Sequence, residues 1–291
     1  MKSRKLSIAY TPAPQQGFLG PGHTARPVLQ GNFSQTDPFI LLMDDMLDKK
    51  GTDPAGGPHP HAGFETVTLV LEGKLGDGKH TLRAGDFQMM TAGSGVVHTE
   101  TIDTETRMRL LQLWLTLPKK DRWTSPRLQD LSLANAPKIV GKGLEISVYS
   151  GSLAGVTSPV NNHVPVIIAD FRMQDEVSTI QTLPASYNAF VYVIEGSVSV
   201  GEEKKVLKQN QVGWLDKYND EDQSELLLTT GESGAHFVLY AGQPTHDNIV
   251  SYGPFIGDKQ QDIVRLYNEY HEGRMKHISE MPEAHLALKP A

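Results

Sequence analysis

The sequence predicts an all-β protein that contains two related units in tandem. The 291 residues include 27 glycines and 18 prolines, which supply the turns that many short strands require. Hydrophobic residues make up 38% and charged residues 21%, an ordinary composition for a chain with a buried core. A repeated pattern of strands and glycine turns divides the chain into two units of about 110–120 residues each.

The first half of the chain is predicted to form an extended arm followed by short strands. Residues 1–30 are rich in proline and glycine and predict the arm. Residues 76–78, Gly-Asp-Gly, predict a hairpin turn. Apolar or alternating segments predict strands at residues 39–43, 66–71, 80–90 (two short strands), 96–100 and 107–117.

The second half is predicted to repeat the β pattern and to end with a helix. Residues 118–140 contain three prolines and several charges, and predict a connection between domains 1–135 and 136–291. Strands are expected from about residue 144 to 242. Residues 258–274 predict the helix, because Ile263, Leu266, Tyr267 and Tyr270 share one face and Gly273 suits its end. We expect that face to pack across a sheet, with a partner interface as the alternative.

An internal repeat supports the tandem arrangement. The segment TLVLEG, which ends at Gly73, reappears as VYVIEG, which ends at Gly196. The segment HTLRAGDFQMM (80–90) likewise aligns with KVLKQNQVGWL (205–215). The order of strand, glycine turn, strand, turn and strand therefore occurs twice.

Composition excludes several classes of function. The chain has no cysteine, which excludes disulfides, a thiolate nucleophile, a zinc ribbon and cysteine-ligated iron–sulfur clusters. Any metal must therefore be held by His, Asp or Glu. The formal net charge of −7 disfavours direct binding to nucleic acid.

The sequence carries no segment that predicts export or membrane insertion. The basic amino terminus lacks the apolar stretch of a signal peptide, and no run of 18 apolar residues occurs. We therefore expect a cytoplasmic protein, and the absence of cysteine is consistent with a reducing compartment.

Candidate metal ligands are concentrated in two short segments. PHPHAGFE contains His59, His61 and Glu65, and VVHTE contains His98 and Glu100. Residues two apart on a strand share a face, so each segment can present a pair of ligands to one side. Imidazole and carboxylate ligands suit iron, manganese, nickel, copper or zinc with open positions for substrate. The alternative is that these histidines are scattered over the surface. Spacing alone leaves open whether Glu65 or Glu100 is the fourth ligand.

These segments resemble the pirin family of bicupins. The resemblance covers residues 20–275 approximately, and is carried by DPFILLMDD, PHPHAGFETVTLVLEG, GDFQMMTAGSGVVHTE and YGPFIGDKQQDIVRLYNEYHEGR. It implies two tandem antiparallel cupin β-barrels with a C-terminal helix. It also implies that His59, His61, His98 and Glu100 hold one metal, expected to be Fe(II), with Mn, Ni, Cu or Zn as alternatives. Glu65 is then a buried acid that bonds backbone or orients a ligand imidazole.

The repeat predicts that the second barrel holds no metal. Its offsets align the four predicted ligands, in order, with Thr182, Pro184, Gln223 and Glu225. Threonine, proline and glutamine cannot build the same site. We therefore expect one metal per chain, in the first barrel.

The resemblance implies two functions from different classes. The first is a dioxygenase that cleaves flavonols such as quercetin with dioxygen, with Glu100 accepting the 3-hydroxyl proton. The second is a regulatory protein whose iron redox state alters its binding to a transcription factor or metabolic enzyme. A cavity large enough for a three-ring ligand would favour the enzyme. A cupin sugar isomerase is disfavoured, because the chain lacks a basic phosphate-binding cluster.

Overall fold

Two compact units built from strands make up the computed structural model, which describes residues 1–29, 31–76, 81–100, 102–219 and 222–289. The first unit contains Pro14–Ala134 and Thr245–Leu288. The second unit contains Met1–Ala13, Asn135–Pro244 and the chain from Lys289. The predicted all-β class with a helix near the carboxyl end is confirmed. No helix in the described part of the chain is long and apolar enough to span a membrane.

In the described part of residues 1–134 lie thirteen strands and one short helix. They are β1 (Lys2–Ser3), β2 (Leu6–Tyr10), β3 (Gln15–Gln16), β4 (His23–Leu29), α1 (Phe33–Thr36), β5 (Phe39–Lys49), β6 (His59–His61), β7 (Phe64–Glu72), β8 (Lys74–Leu75), β9 (Leu82–Arg83), β10 (Phe87–Thr91), β11 (Val96–His98), β12 (Thr106–Thr116) and β13 (Arg127–Leu131).

Thirteen further strands and a longer helix follow among the residues after 134 that the structure describes. They are β14 (Lys138–Gly141), β15 (Leu144–Ser150), β16 (Ser152–Leu153), β17 (Val156–Thr157), β18 (Val166–Met173), β19 (Ser178–Pro184), β20 (Asn188–Val200), β21 (Lys205–Lys208), β22 (Val212–Leu215), β23 (Gln223–Gly242), β24 (Val250–Tyr252), β25 (Phe255–Gly257), α2 (Gln260–His271) and β26 (His285–Ala287). Single 3₁₀ turns lie at Ile278–Glu280 and Pro282–Ala284.

An eight-stranded sheet forms the first unit, in the order β26-β13-β10-β7-β12-β5-β4-β3. The strands β6 and β11 form a separate two-stranded ladder. On β5 and β12, cross-strand partners share a face and line a cavity. These partners are Leu41 with Trp114, Met43 with Gln112, and Asp45 with Leu110.

A continuous apolar core fills the second unit. Its ten-stranded sheet has the main order β14-β15-β18-β23-β20-β22-β2. The core includes Phe171 stacked on Phe237, with ring centroids 4.8 Å apart, and the leucines 183, 226 and 228. Each of these five side chains is fully buried, so inward positions of this unit carry large apolar groups.

Two segments lie in the unit opposite to the one predicted by the division 1–135 and 136–291. The arm contributes β1 and β2 to the second unit, where Lys2 pairs with Ser224 and Leu6 with Leu215. The helix α2 lies in the first unit, where Ile263 and Leu266 pack in one apolar cluster. The apolar face of the helix is packed, as expected. It packs in the first unit, however, and not in the second, which is nearer along the chain.

Several predicted element boundaries change in the structure. The strand predicted at 39–43 continues to Lys49, because the added residues pair with β12 as far as Thr106. The predicted connection 118–140 contains β13 and the start of β14. The helix ends before Gly273, whose positive φ of 68° suits glycine. The predicted turn at 77–78, and residues 79–80 of the following strand, lie outside the described residues.

A buried arginine anchors the amino terminus to the second unit. Arg4 is fully buried, and its guanidinium donates to side-chain and main-chain oxygens. The acceptors are Ser224 Oγ (2.9 Å) and the carbonyls of Pro184 (2.7 Å), Ala185 (3.0 Å), Tyr187 (3.1 Å) and Asp216. The Arg4 guanidinium thus supplies hydrogen-bond donors to all five oxygens. Without it, the buried carbonyls would need water molecules as donors.

We expect Arg4→Met to lower the free energy of unfolding by about 3 kcal/mol, since it leaves buried carbonyls without donors. Urea unfolding measures the change. Lys5→Met is the matched control, because Lys5 is exposed and should alter stability by less than about 0.5 kcal/mol. Equal stability of the two variants would contradict an anchoring role for Arg4.

Candidate metal centre

Three histidines meet on the ladder formed by β6 and β11. His98 lies directly opposite His59, and His61 lies opposite Val96. Because His59 and His61 are two residues apart, all three side chains project to one side. The ring centroids of His59 and His98 are 4.2 Å apart, and each lies 5.0 Å from that of His61. One nitrogen from each ring falls within 4.8 Å of the others, so the group could hold a metal ion.

Hydrogen bonding around the rings fits a metal. The Nδ1–H of His59 donates to the carbonyl of Gly57 at 3.0 Å, which leaves Nε2 with a free lone pair. Nε2 of His98 and Nδ1 of His61 are buried and have no hydrogen-bond partner among the described residues. An unpartnered buried nitrogen costs about 1–3 kcal/mol, and a coordinated metal would remove that cost at the atom it binds.

Burial also keeps the imidazoles of His61 and His98 neutral. Together with a smaller contribution from the neighbouring His59, it lowers the pKa of His61 to about 3. Burial likewise holds the pKa of His98 well below its usual value, with smaller contributions from His61 and His59. A metal requires the neutral ring, so His61 and His98 are in their binding form at neutral pH.

Glu100 lines the same cavity as the three histidines. Burial raises the pKa of its carboxyl group, while His59 lowers that pKa and Asp45 raises it. Among the described residues, the compact group within 4.8 Å contains only the three imidazoles. The structure therefore brings three of the four predicted ligands together and places Glu100 on the adjoining wall.

Glu65 occupies the opposite face of its strand. Phe64, its neighbour on β7, contacts the rings of His61 and Trp114 at centroid distances of 5.2 and 4.3 Å. Adjacent residues on a strand face opposite sides, so Glu65 points away from this cluster. Its carboxylate accepts a 2.6 Å hydrogen bond from the hydroxyl of Thr91. Thr91 lies on β10 directly opposite Glu65, so alternation along β7 directs the acid towards β10.

The turn that follows His61 is tightly constrained. Gly63 has a φ of 85°, and a Cβ there would lie 2.0 Å from the carbonyl oxygen of Ile256. The fully buried Arg122 donates to the Gly63 carbonyl at 3.2 Å and to Asp258 at 2.7 Å. These contacts anchor the strand that carries two of the histidines. Sequence analysis missed Arg122, because its segment resembles a linker and its partners are distant in the chain.

The cavity beside the histidines has a volume of about 840 Å³. This volume lies within the range of roughly 300–1,000 Å³ found for small-molecule sites. Trp114 forms part of its wall and packs against His61, with ring centroids 5.3 Å apart. Leu41, Met43 and Leu110 add apolar surface. The arrangement combines an apolar enclosure with a group of metal-binding side chains at one side.

Strand register corrects the predicted correspondence between the units. On β19 and β23, Thr182 lies opposite Glu225, as His59 lies opposite His98. With His59 aligned to Thr182, as predicted, this register makes Glu225 the counterpart of His98. The predicted counterpart, Gln223, does not fit that register, so the two predicted offsets are inconsistent with each other. Absence of a metal from the second unit stays a prediction.

The fold and the histidine group are those of a two-domain cupin protein with a candidate metal centre in its first domain. The family model described as Pirin matches residues 22–115, and the model described as Pirin C-terminal cupin domain matches residues 168–276. The chain belongs to the pirin family, as its sequence motifs predicted.

Relatives and solved structures agree with this assignment. The chain is 35% identical to Pirin-like protein 2 of Arabidopsis thaliana over 248 residues, which cover 82% of this chain and 75% of that protein. It is 29% identical to human Pirin over 283 residues, or 94% of each protein. The crystal structure of quercetin 2,3-dioxygenase from Acinetobacter baumannii matches with a TM-score of 0.80 and 26% identity, covering 94% of this chain and 98% of that one.

We expect His61→Ala and His98→Ala each to weaken metal binding by more than about 100-fold, because each removes one of three converging imidazoles. Elemental analysis of protein loaded under nitrogen should find one metal per wild-type chain and little in either variant. Circular dichroism should show that the strands remain.

His271→Ala is the matched control for metal loading, since His271 lies on α2 outside the cavity. It should retain the wild-type metal content. Two metals per wild-type chain, or full loading of both ligand variants, would contradict the assignment of a single centre to these histidines.

Proposed function

We propose that this protein is a metal-dependent dioxygenase that cleaves flavonols such as quercetin. The observation that carries the proposal is the convergence of three imidazoles, those of His61 and His98 held neutral by burial, beside a largely apolar cavity of about 840 Å³. Similarity to a structure described as quercetin 2,3-dioxygenase, at 26% identity, supports the same class of substrate.

His59, His61, His98 and Glu100 are proposed as the ligands. Three imidazoles and one carboxylate suit a divalent first-row metal, and Fe(II) is the proposed ion, with Mn, Ni, Cu or Zn as alternatives. Glu100 completes the set because it lines the cavity and interacts electrostatically with His59.

When bound, the metal would supply Lewis acidity to the 3-hydroxyl and 4-carbonyl oxygens of the flavonol. Glu100 accepts the 3-hydroxyl proton, and burial makes its carboxylate a stronger base than an exposed glutamate. Trp114 and the aliphatic wall hold the planar rings and exclude water. The flavonolate then reacts with dioxygen, and ring cleavage releases carbon monoxide and a depside.

The regulatory alternative requires only a buried metal whose redox state changes the protein surface. The cavity favours the enzyme, because its volume can accommodate a three-ring ligand beside the histidines. A dioxygenase needs a cavity that holds its substrate away from water, whereas a metal sensor needs only the buried metal.

We expect Glu100→Gln to weaken metal binding and, at equal metal occupancy, to lower kcat for quercetin by about 100-fold or more, because the amide cannot accept the proton. Loss of flavonol absorbance and release of carbon monoxide measure turnover. Glu65→Gln should lower kcat by less than about 10-fold, since Glu65 bonds Thr91 on the opposite face.

The two carboxyl variants separate the candidate ligands. Loss of metal in Glu65→Gln with retention in Glu100→Gln would move the fourth ligand to Glu65. Metal-loaded wild-type protein that consumes no flavonol would refute the dioxygenase proposal and favour the regulatory one.

A further inference from the structure

A second polar pair faces the cavity and has no part in the proposed chemistry. Asp45 lies on β5 and His23 on β4, and both line the cavity. The side chain of Asp45 is 14% exposed and that of His23 only 2%. The strand neighbours of Asp45 are the apolar residues Leu110 and Ala25. A carboxylate in such a setting requires hydrogen-bond donors.

His23 is held in one tautomer. The backbone N–H of Leu19 donates to Nδ1 of His23 at 3.1 Å, so Nδ1 carries no proton. Nε2 therefore bears the ring proton and donates it to Oδ1 of Asp45 at 2.8 Å. Gly17 packs against the ring so closely that a Cβ there would lie 2.2 Å from Nδ1. The ring of Phe18 adds an edge contact, with centroids 5.4 Å apart.

The second oxygen of Asp45 is available to a ligand. The hydrogen bond from His23 engages Oδ1, and no donor among the described residues bonds Oδ2. This oxygen belongs to a mostly buried side chain that lines the cavity beside Glu100. An acceptor in this position is satisfied when a bound molecule presents an O–H group to it.

We propose that Asp45 is a specificity-determining residue that accepts a hydrogen bond from a ligand hydroxyl other than those that reach the metal. His23 is a positioning residue, because it holds the carboxylate through Oδ1 and leaves Oδ2 facing the cavity. The ligand class rests on the proposed function, and the inference narrows that class to flavonols with further hydroxyl groups. A site that bonds a hydroxyl rejects the analogue that lacks it.

Binding under nitrogen tests this inference without turnover. Calorimetry would compare quercetin with 3-hydroxyflavone, which has only the chelating hydroxyl, on Fe(II)-loaded wild-type protein and Asp45→Asn. We expect quercetin to bind wild-type protein at least about 10-fold more tightly than 3-hydroxyflavone. Asp45→Asn should reduce that ratio by about 10-fold, because it weakens the binding of quercetin more than that of 3-hydroxyflavone.

Asp48→Asn is the matched control, because Asp48 lies on the same strand with its side chain exposed. It should keep the wild-type ratio. His23→Gln retains an N–H donor and should preserve more discrimination than His23→Leu. This difference would not arise if His23 only filled space.

The outcomes separate this inference from the proposed function. An unchanged ratio in Asp45→Asn, equal weakening of both ligands, or failure of wild-type protein to bind either ligand would overturn the role of Asp45. Binding with the expected ratio but without carbon monoxide release in air would support the role of Asp45 and count against the dioxygenase alone.

Discussion

The pairing of β6 with β11 is the constraint on which the candidate centre depends. It places His98 directly opposite His59, and the two-residue period of the strand adds His61 on the same side. A shift of one residue would turn the imidazoles towards the opposite face. The turn at Gly63 restricts such a shift, because the backbone of Ile256 leaves no room for a side chain and Arg122 binds the Gly63 carbonyl.

Bringing three imidazoles together has an energetic consequence that explains their chemistry. Burial and mutual proximity disfavour protonation of His61 and His98, so these two rings are neutral and their lone pairs are available. Nitrogens without protein partners are unfavourable in the absence of a metal. Buried nitrogens without partners therefore destabilise the protein when no metal is bound, and they favour binding of a metal. Functional sites commonly reduce stability in this way.

The two units share a strand pattern but differ in the side chains that face inwards. In the second unit, inward positions carry leucine and phenylalanine side chains that fill the space. In the first unit, the cavity-facing positions of β5 and β12 leave a volume of about 840 Å³. Two carboxylates on its wall, Asp45 and Glu100, add acceptors to a largely apolar cavity. Such a combination supplies apolar affinity together with selection for hydroxyl groups.

Local pattern was sufficient to predict much of this protein. The absence of cysteine, the spacing of His59, His61 and His98, and the repeat around Gly73 and Gly196 indicated a two-unit β protein with histidine ligands. The pirin motifs then implied the family, which the comparisons confirmed. These features are readable because strand period and ligand chemistry are properties of neighbouring residues.

Contacts between distant segments were decided only by tertiary structure. The arm joins the second unit through Arg4, and α2 packs in the first unit, although chain order suggested the reverse. The direction of Glu65 towards Thr91 and the pairing of Asp45 with His23 likewise depend on strand register. Register arises from packing over the whole sheet, so residues adjacent in the chain do not specify it.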